Sequence, residues 1–164
     1  MNKSKFLMLS AIFFAFAVPK VAVAEETSDQ MFSFRTGLVS AVQSSGGYSV
    51  APFLSWNPQY LLRPGHNLVG DLGATVMINS QGNRFSVMQY GLLSQHPMTT
   101  KLALEIGLGG QFWSGTGGNV NAPVATVNIV RGMSGEILSS LLGGVSVVWV
   151  RSATTVMLRV GVGI

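Results

Sequence analysis

The sequence contains no cysteine. That excludes a disulfide framework, thiolate metal sites and the acylated cysteine that would tether a lipoprotein behind its leader. Charge is scarce: 10 basic and 6 acidic side chains in 164 residues leave too few for an ordinary water-facing surface. Long apolar runs are missing as well. Beyond the first two dozen residues the nearest is "ILSSLLGGVSVVWV", Ile137 to Val150, at 14 residues. A membrane-spanning helix needs about 20, and the glycines and β-branched residues of this run favour a strand. Signatures of catalysis are absent too. The two histidines, His66 and His96, fall in turn-like stretches without metal-ligand spacing. No G-x-S-x-G elbow occurs, and "GLGGQFWSGTGG" lacks the GK[ST] ending of a phosphate loop. Ser94 lies near His96 in sequence, and Ser55 is a further hydroxyl that pairs plausibly with His66, but neither pair comes with an acidic orienter. The sequence therefore assigns no catalytic, cofactor-binding or metal-binding residue, and no cofactor.

What is present begins with a leader. "MNKSK" is basic, "FLMLSAIFFAFAV" is apolar from Phe6 to Val18, and "PKVAVA" places small residues at Ala22 and Ala24 ahead of Glu25 and Glu26. This order predicts a secretory signal peptide over 1–24, cleaved after Ala24, and a single domain over 25–164. Lys3, Lys5 and Lys20 belong to that leader, so the mature chain keeps seven basic residues against six acidic ones. The high isoelectric point is then a property of the leader, and nucleic acid is excluded as a partner.

The rest of the chain alternates with period two. In "KLALEIGLGG", Leu102, Leu104, Ile106 and Leu108 share one face, and Ala103, Glu105 and Gly107 the other. "NLVGDLGATVMI" sets Leu68, Leu72, Val76 and Ile78 against Asp71, Gly73 and Thr75, and "TTVMLRVGVGI" sets Val156, Leu158, Val160 and Val162 against Met157, Arg159 and Gly161. "MFSFRTGLVSAVQ" places Phe34, Leu38 and Val42 opposite Ser33, Arg35 and Gly37. Gly-, Asn-, Ser- and Pro-rich stretches separate these runs. The pattern predicts eight strands, near 32–43, 47–57, 66–78, 84–94, 100–112, 122–131, 137–151 and 154–164, with a bulge expected at Pro52.

Eight strands of about ten residues joined by turns fit an all-β, antiparallel up-and-down barrel. The strand length matches what a tilted strand needs to cross a bilayer, and closure removes the edge that lipid cannot satisfy. As a pattern over the whole mature chain, the sequence resembles the small eight-stranded outer-membrane β-barrel proteins of Gram-negative bacteria. The resemblance implies localisation in the bacterial outer membrane, contact with the lipid bilayer, lipopolysaccharide as a candidate partner, and a porin-like architecture. The leucines of the opening run then face lipid and Glu105 faces the lumen. Arg35, Asp71, Lys101, Glu105 and Arg159 all fall on the inward face, and the expectation is that Arg35 and Arg159 meet Asp71 and Glu105 near mid-barrel, because a buried charge must be paired. Inward glycines are expected to make room for these long side chains. Trp56, Trp113 and Trp149 fall at strand ends and are expected to form interfacial girdles. With both termini periplasmic, "WSGTGGNVN" is the longest outer loop and "NPQYLLRPGHN" the longest inner turn. Eight strands leave little bore, so the expected role is structural or surface-interacting and non-catalytic. Two alternatives remain: a lipid-modifying outer-membrane enzyme, and a soluble periplasmic barrel with the faces inverted and lipid inside.

Overall fold

A computed structural model describes residues 32–44, 47–63, 65–78, 82–115, 118–134, 137–150 and 153–164; the leader expected at 1–24 lies outside them. Eight strands follow in order: β1 (Phe32–Gln43), β2 (Tyr48–Arg63), β3 (His66–Ile78), β4 (Arg84–Pro97), β5 (Leu102–Gly115), β6 (Gly118–Gly132), β7 (Ser140–Val150) and β8 (Ala153–Gly163). Each pairs antiparallel with the next, and β8 returns to β1, giving a closed barrel. The end where β1 begins and β8 finishes is called the terminal end here, and the opposite end the distal end.

The strands run longer than the alternation alone indicates. Most of "NPQYLLRPGHN" is strand, with β2 reaching Arg63 and β3 starting at His66. In "WSGTGGNVN" the described residues on both sides are strand, and Gly115 pairs with Gly118. The long outer loop and long inner turn expected from sequence are therefore both tight hairpins. Turn-forming residues there continue a ladder, since backbone pairing in a hairpin asks nothing of the side chain beyond a permitted conformation. Pro52 makes no bulge between β1 and β2: it pairs in register with Leu38. The irregularity of β2 lies instead at Leu61–Arg63.

Parity sorts the side chains. Leu108, Val160, Met88, Leu54 and Ile106 point outward and are exposed, while Glu105, Asp71, Arg35 and Arg159 are buried inside. That arrangement removes the inverted barrel, whose oily side chains would have to point inward. A smooth exposed belt of Leu, Val, Ile and Phe is the surface that hydrocarbon requires.

The lumen has two compartments. Towards the distal end it is apolar, and every strand contributes: Val39 and Ala41, Ala51 and Phe53, Met77, Val87, Trp113, Ala122 and Val124, Val148 and Met157. Polar and charged side chains, interspersed with Val69, Leu93, Val130 and Leu142, occupy the remainder. The expectation of a polar lumen thus holds for only part of its length. At Gly37 and Gly109 glycine has a different role from the one expected. A Cβ on Gly109 would lie 2.0 Å from the Tyr90 carbonyl oxygen, and one on Gly37 would lie 2.1 Å from that of Val160. Backbone of the neighbouring strand, not a long lumen side chain, occupies the space. Gly37 pairs with Gly161 and Gly109 with Gly91, so glycine sits on both strands where they approach closely.

Candidate functional site: the lumen charge network and the terminal mouth

Register builds the centre of the network. Following directly paired residues from β8 to β3 gives Arg159, Gly144, Asn128, Glu105, Gln95 and Asn67 in one inward row. From Asn128 to Asn67, neighbours in that row bond to each other. Asn67 donates to Gln95 Oε1 at 2.9 Å, Gln95 Nε2 donates to Glu105 Oε1 at 3.0 Å, and Asn128 Nδ2 donates to Glu105 Oε2 at 3.1 Å. Arg35 crosses the bore from β1 to β5, four strands away. Its Nη1 and Nη2 donate to Glu105 Oε2 and Oε1 at 2.8 and 2.6 Å. This two-pronged geometry is the strongest arrangement open to a guanidinium and a carboxylate.

A second centre lies around Asp71. Arg159 Nη1 donates to its Oδ2 at 3.1 Å, Asn57 Nδ2 donates to its Oδ1 at 3.3 Å, and Gln89 Nε2 also donates to Oδ2. The chain continues outward from there. Gln111 Nε2 donates to Gln89 Oε1 at 2.7 Å, and Trp113 Nε1 donates to Gln111 Oε1 at 3.1 Å. Arg159 Nη2 reaches Ser146 Oγ at 3.3 Å, and Ser146 bonds Thr126 at 2.9 Å. Two arginines and two carboxylates cancel in charge, and each carboxylate accepts three or more hydrogen bonds, which is what makes them tolerable away from water. Arg35 Nε, Arg159 Nε and Asn128 Oδ1 are buried without a partner.

The structure thus brings Arg35, Asp71, Glu105 and Arg159 into two ion pairs, Arg35–Glu105 and Arg159–Asp71. Lys101 is not among them. It is exposed in the turn before β5, which starts only at Leu102, so it stands at the mouth of the lumen and outside the network. Sequence reasoning missed Asn57, Gln89, Gln95, Gln111 and Asn128; of these only Gln111 shares both strand and parity with one of the paired charges, Glu105. Trp113 corrects the girdle. It is 9% exposed, faces the lumen and packs edge-on against Phe85, with ring centroids 6.4 Å apart. Trp56 and Trp149 do face outward. Trp149 lies beside the β7–β8 hairpin, and Trp56, paired with Phe34, lies towards the terminal end.

At the terminal end the lumen widens into a cavity of about 270 Å³. Arg35 and Gln95 line it from within, and Ser33, Gln59, Thr99, Thr100, Lys101, Ser139 and Ser140 surround it. On the outer surface near the same end, Ser94 Oγ and His96 Nε2 are 3.0 Å apart, and the His96 ring meets His66 edge-on at 5.1 Å.

No family model matches the sequence, and no curated protein is similar to it. Solved structures are similar in fold. The attachment invasion locus protein Ail of Yersinia pestis superposes with a TM-score of 0.60 at 9% identity, over 80% of this chain and 95% of that one. Neisserial surface protein A gives 0.58 at 14% identity, over 82% and 97%. A de novo designed transmembrane β-barrel gives 0.50 at 16%, over 85% and 100%. At these identities the likeness concerns architecture alone: the chain has the fold of the small eight-stranded transmembrane barrels of Gram-negative outer membranes.

Proposed function

We propose that this protein resides in the bacterial outer membrane, after export by its leader, as a closed barrel whose role is structural or surface-interacting and non-catalytic. The observation that carries the reading is the occlusion of the lumen, by apolar side chains in the distal part and by paired charges below. A bore filled in this way is a scaffold for its rims and its lipid-facing wall. The charge network serves to hold opposite walls together. Both termini face the periplasm, which turns the distal hairpins outward. Lipopolysaccharide is the anionic partner available there, and exposed Arg84 stands at the distal start of β4. Ail has been captured with the heparin analogue sucrose octasulfate, so an anionic saccharide is the class of surface ligand this reading favours. Planar-bilayer recording tests the occlusion: the purified barrel is expected to give no steady conductance, and a stable open channel would overturn the reading.

The alternative of a lipid-modifying enzyme draws on one observation, the Ser94–His96 hydrogen bond on the lipid-facing surface. A hydroxyl beside an imidazole is the minimum for acyl transfer, and an orienting group on the second ring nitrogen normally completes it. The carboxylates described on the strands, Asp71 and Glu105, are both committed to ion pairs inside the lumen. Mass spectrometry of lipid A and phospholipids from cells expressing the protein or its Ser94→Ala variant separates the readings. A Ser94-dependent change in acylation would establish the enzyme.

A further inference from the structure

The terminal cavity is lined by hydroxyls, amides and two cations, with Pro97, Leu102, Ala103 and Val130 among them. Its lining contains Lys101 and Arg35 and, among the described residues, no carboxylate. Glu105 lies behind Arg35, wholly buried and held by four hydrogen bonds, so its charge is cancelled before it reaches the cavity. Lys101 is exposed at the rim, and neither ion pair among the described residues includes it. Arg35 is 3% exposed, and with both Nη groups on Glu105 its Nε–H has no acceptor. A buried guanidinium N–H without a partner is costly, and an acceptor that satisfied it would recover that cost. The rim is also oriented. Thr99 Oγ1 accepts the backbone N–H groups of Lys101 and Leu102 at 3.3 and 3.1 Å, which leaves its own proton to donate elsewhere. Ser139 and Ser140 approach from the other side of the mouth.

We propose that this cavity is a binding site for a small oxyanion, a phosphate or carboxylate group, held by the Lys101 ammonium and the hydroxyls of Thr99, Thr100, Ser139 and Ser140 above the Arg35 guanidinium. The chemistry follows from the donor set: N–H and O–H groups, the Lys101 charge, and no carboxylate among the described lining residues. A volume of about 270 Å³ is ample for a phosphate or carboxylate group. Two sources present such a group at a membrane protein's mouth, a dissolved anion and a lipid headgroup, and one titration distinguishes them.

The full mature chain, folded in zwitterionic micelles at low ionic strength, is titrated with inorganic phosphate and separately with dihexanoyl phosphatidic acid. Backbone amide shifts are recorded against sodium chloride at matched ionic strength. The expected result is a saturable shift confined to Thr99–Leu102 and Ser139–Ser140. Lys101→Gln should weaken binding about tenfold, the loss of one charge-assisted contact, while Lys101→Arg retains it and Arg84→Gln, at the opposite end, has no effect. Each variant is first shown to be folded by its heat-dependent gel mobility. Saturation by inorganic phosphate identifies a dissolved anion as sufficient; saturation only by the lipid identifies the headgroup. No saturable shift with either probe, or binding unchanged by Lys101→Gln, would overturn the proposal.

Discussion

Replacing Glu105 by alanine is the sharpest test of the network. The carboxylate is wholly buried and its partner Arg35 is 3% exposed, so neither has water to fall back on. Removing it deletes both contacts from Arg35, at 2.8 and 2.6 Å, and those from Gln95 and Asn128. What remains is an unpaired guanidinium in the bore and two amides without their acceptor. Breaking a buried pair on one side costs about 3–5 kcal/mol, most of it the penalty of the charge left behind. Arg35→Ala together with Glu105→Ala removes that charge as well, so the double variant should lose less than the sum of the two single variants. The coupling expected between residues in such contact is about 2–3 kcal/mol. Urea unfolding in lipid vesicles, followed by tryptophan fluorescence and by the fraction migrating as folded barrel on unheated gels, measures all four corners of the cycle. Additive single effects, or a Glu105→Ala loss under about 1 kcal/mol, would mean that solvent or another group already neutralises Arg35, and the network as described would be wrong.

Three further outcomes follow from the wall and the lumen. In vesicles of brominated lipid, the emission of Trp149 and Trp56 should be quenched while that of Trp113 is spared, read from variants that each retain a single tryptophan; equal quenching of Trp113 would place it back in a girdle. Gly109→Ala forces a methyl to 2.0 Å from the Tyr90 carbonyl oxygen, so β4 and β5 must part, and a loss of about 1–3 kcal/mol is expected from the same unfolding assay. Leu108 is 72% exposed on the outward face, and Leu108→Arg should cost about 2–4 kcal/mol in a bilayer if that position lies near the midplane. No loss in vesicles would contradict a lipid-facing wall.

The faces of the barrel were legible because alternation needs only the identity of every second residue, and one buried carboxylate such as Glu105 fixes the phase of its strand. The four paired charges follow from that phase. Trp113 also follows from it, since it shares odd parity with Glu105 and Gln111; its position near a strand end gave a competing signal, and parity prevailed. Lys101 shows the limit of parity, which has meaning only inside a strand, and β5 begins one residue later. Hairpin lengths were hidden because Gly, Asn and Ser suit both a turn and a strand that continues beyond the bilayer. The contact of Gly109 with Tyr90 depends on the register between β4 and β5, which is a property of two segments together and cannot be seen in either alone.

The network's cations sit on the first and last strands, Arg35 on β1 and Arg159 on β8, while its anions lie on β5 and β3. An open sheet that has not yet joined β8 to β1 holds all four charges on a flat surface without their partners. Neutralisation therefore requires closure of the seam, and the expectation is that it falls after the rate-limiting step of folding. A lesion in the network should leave the rate of folding nearly unchanged and express itself as faster unfolding. The polar half of the lumen then sets the lifetime of the finished barrel, and the alternating strands set how quickly it is made.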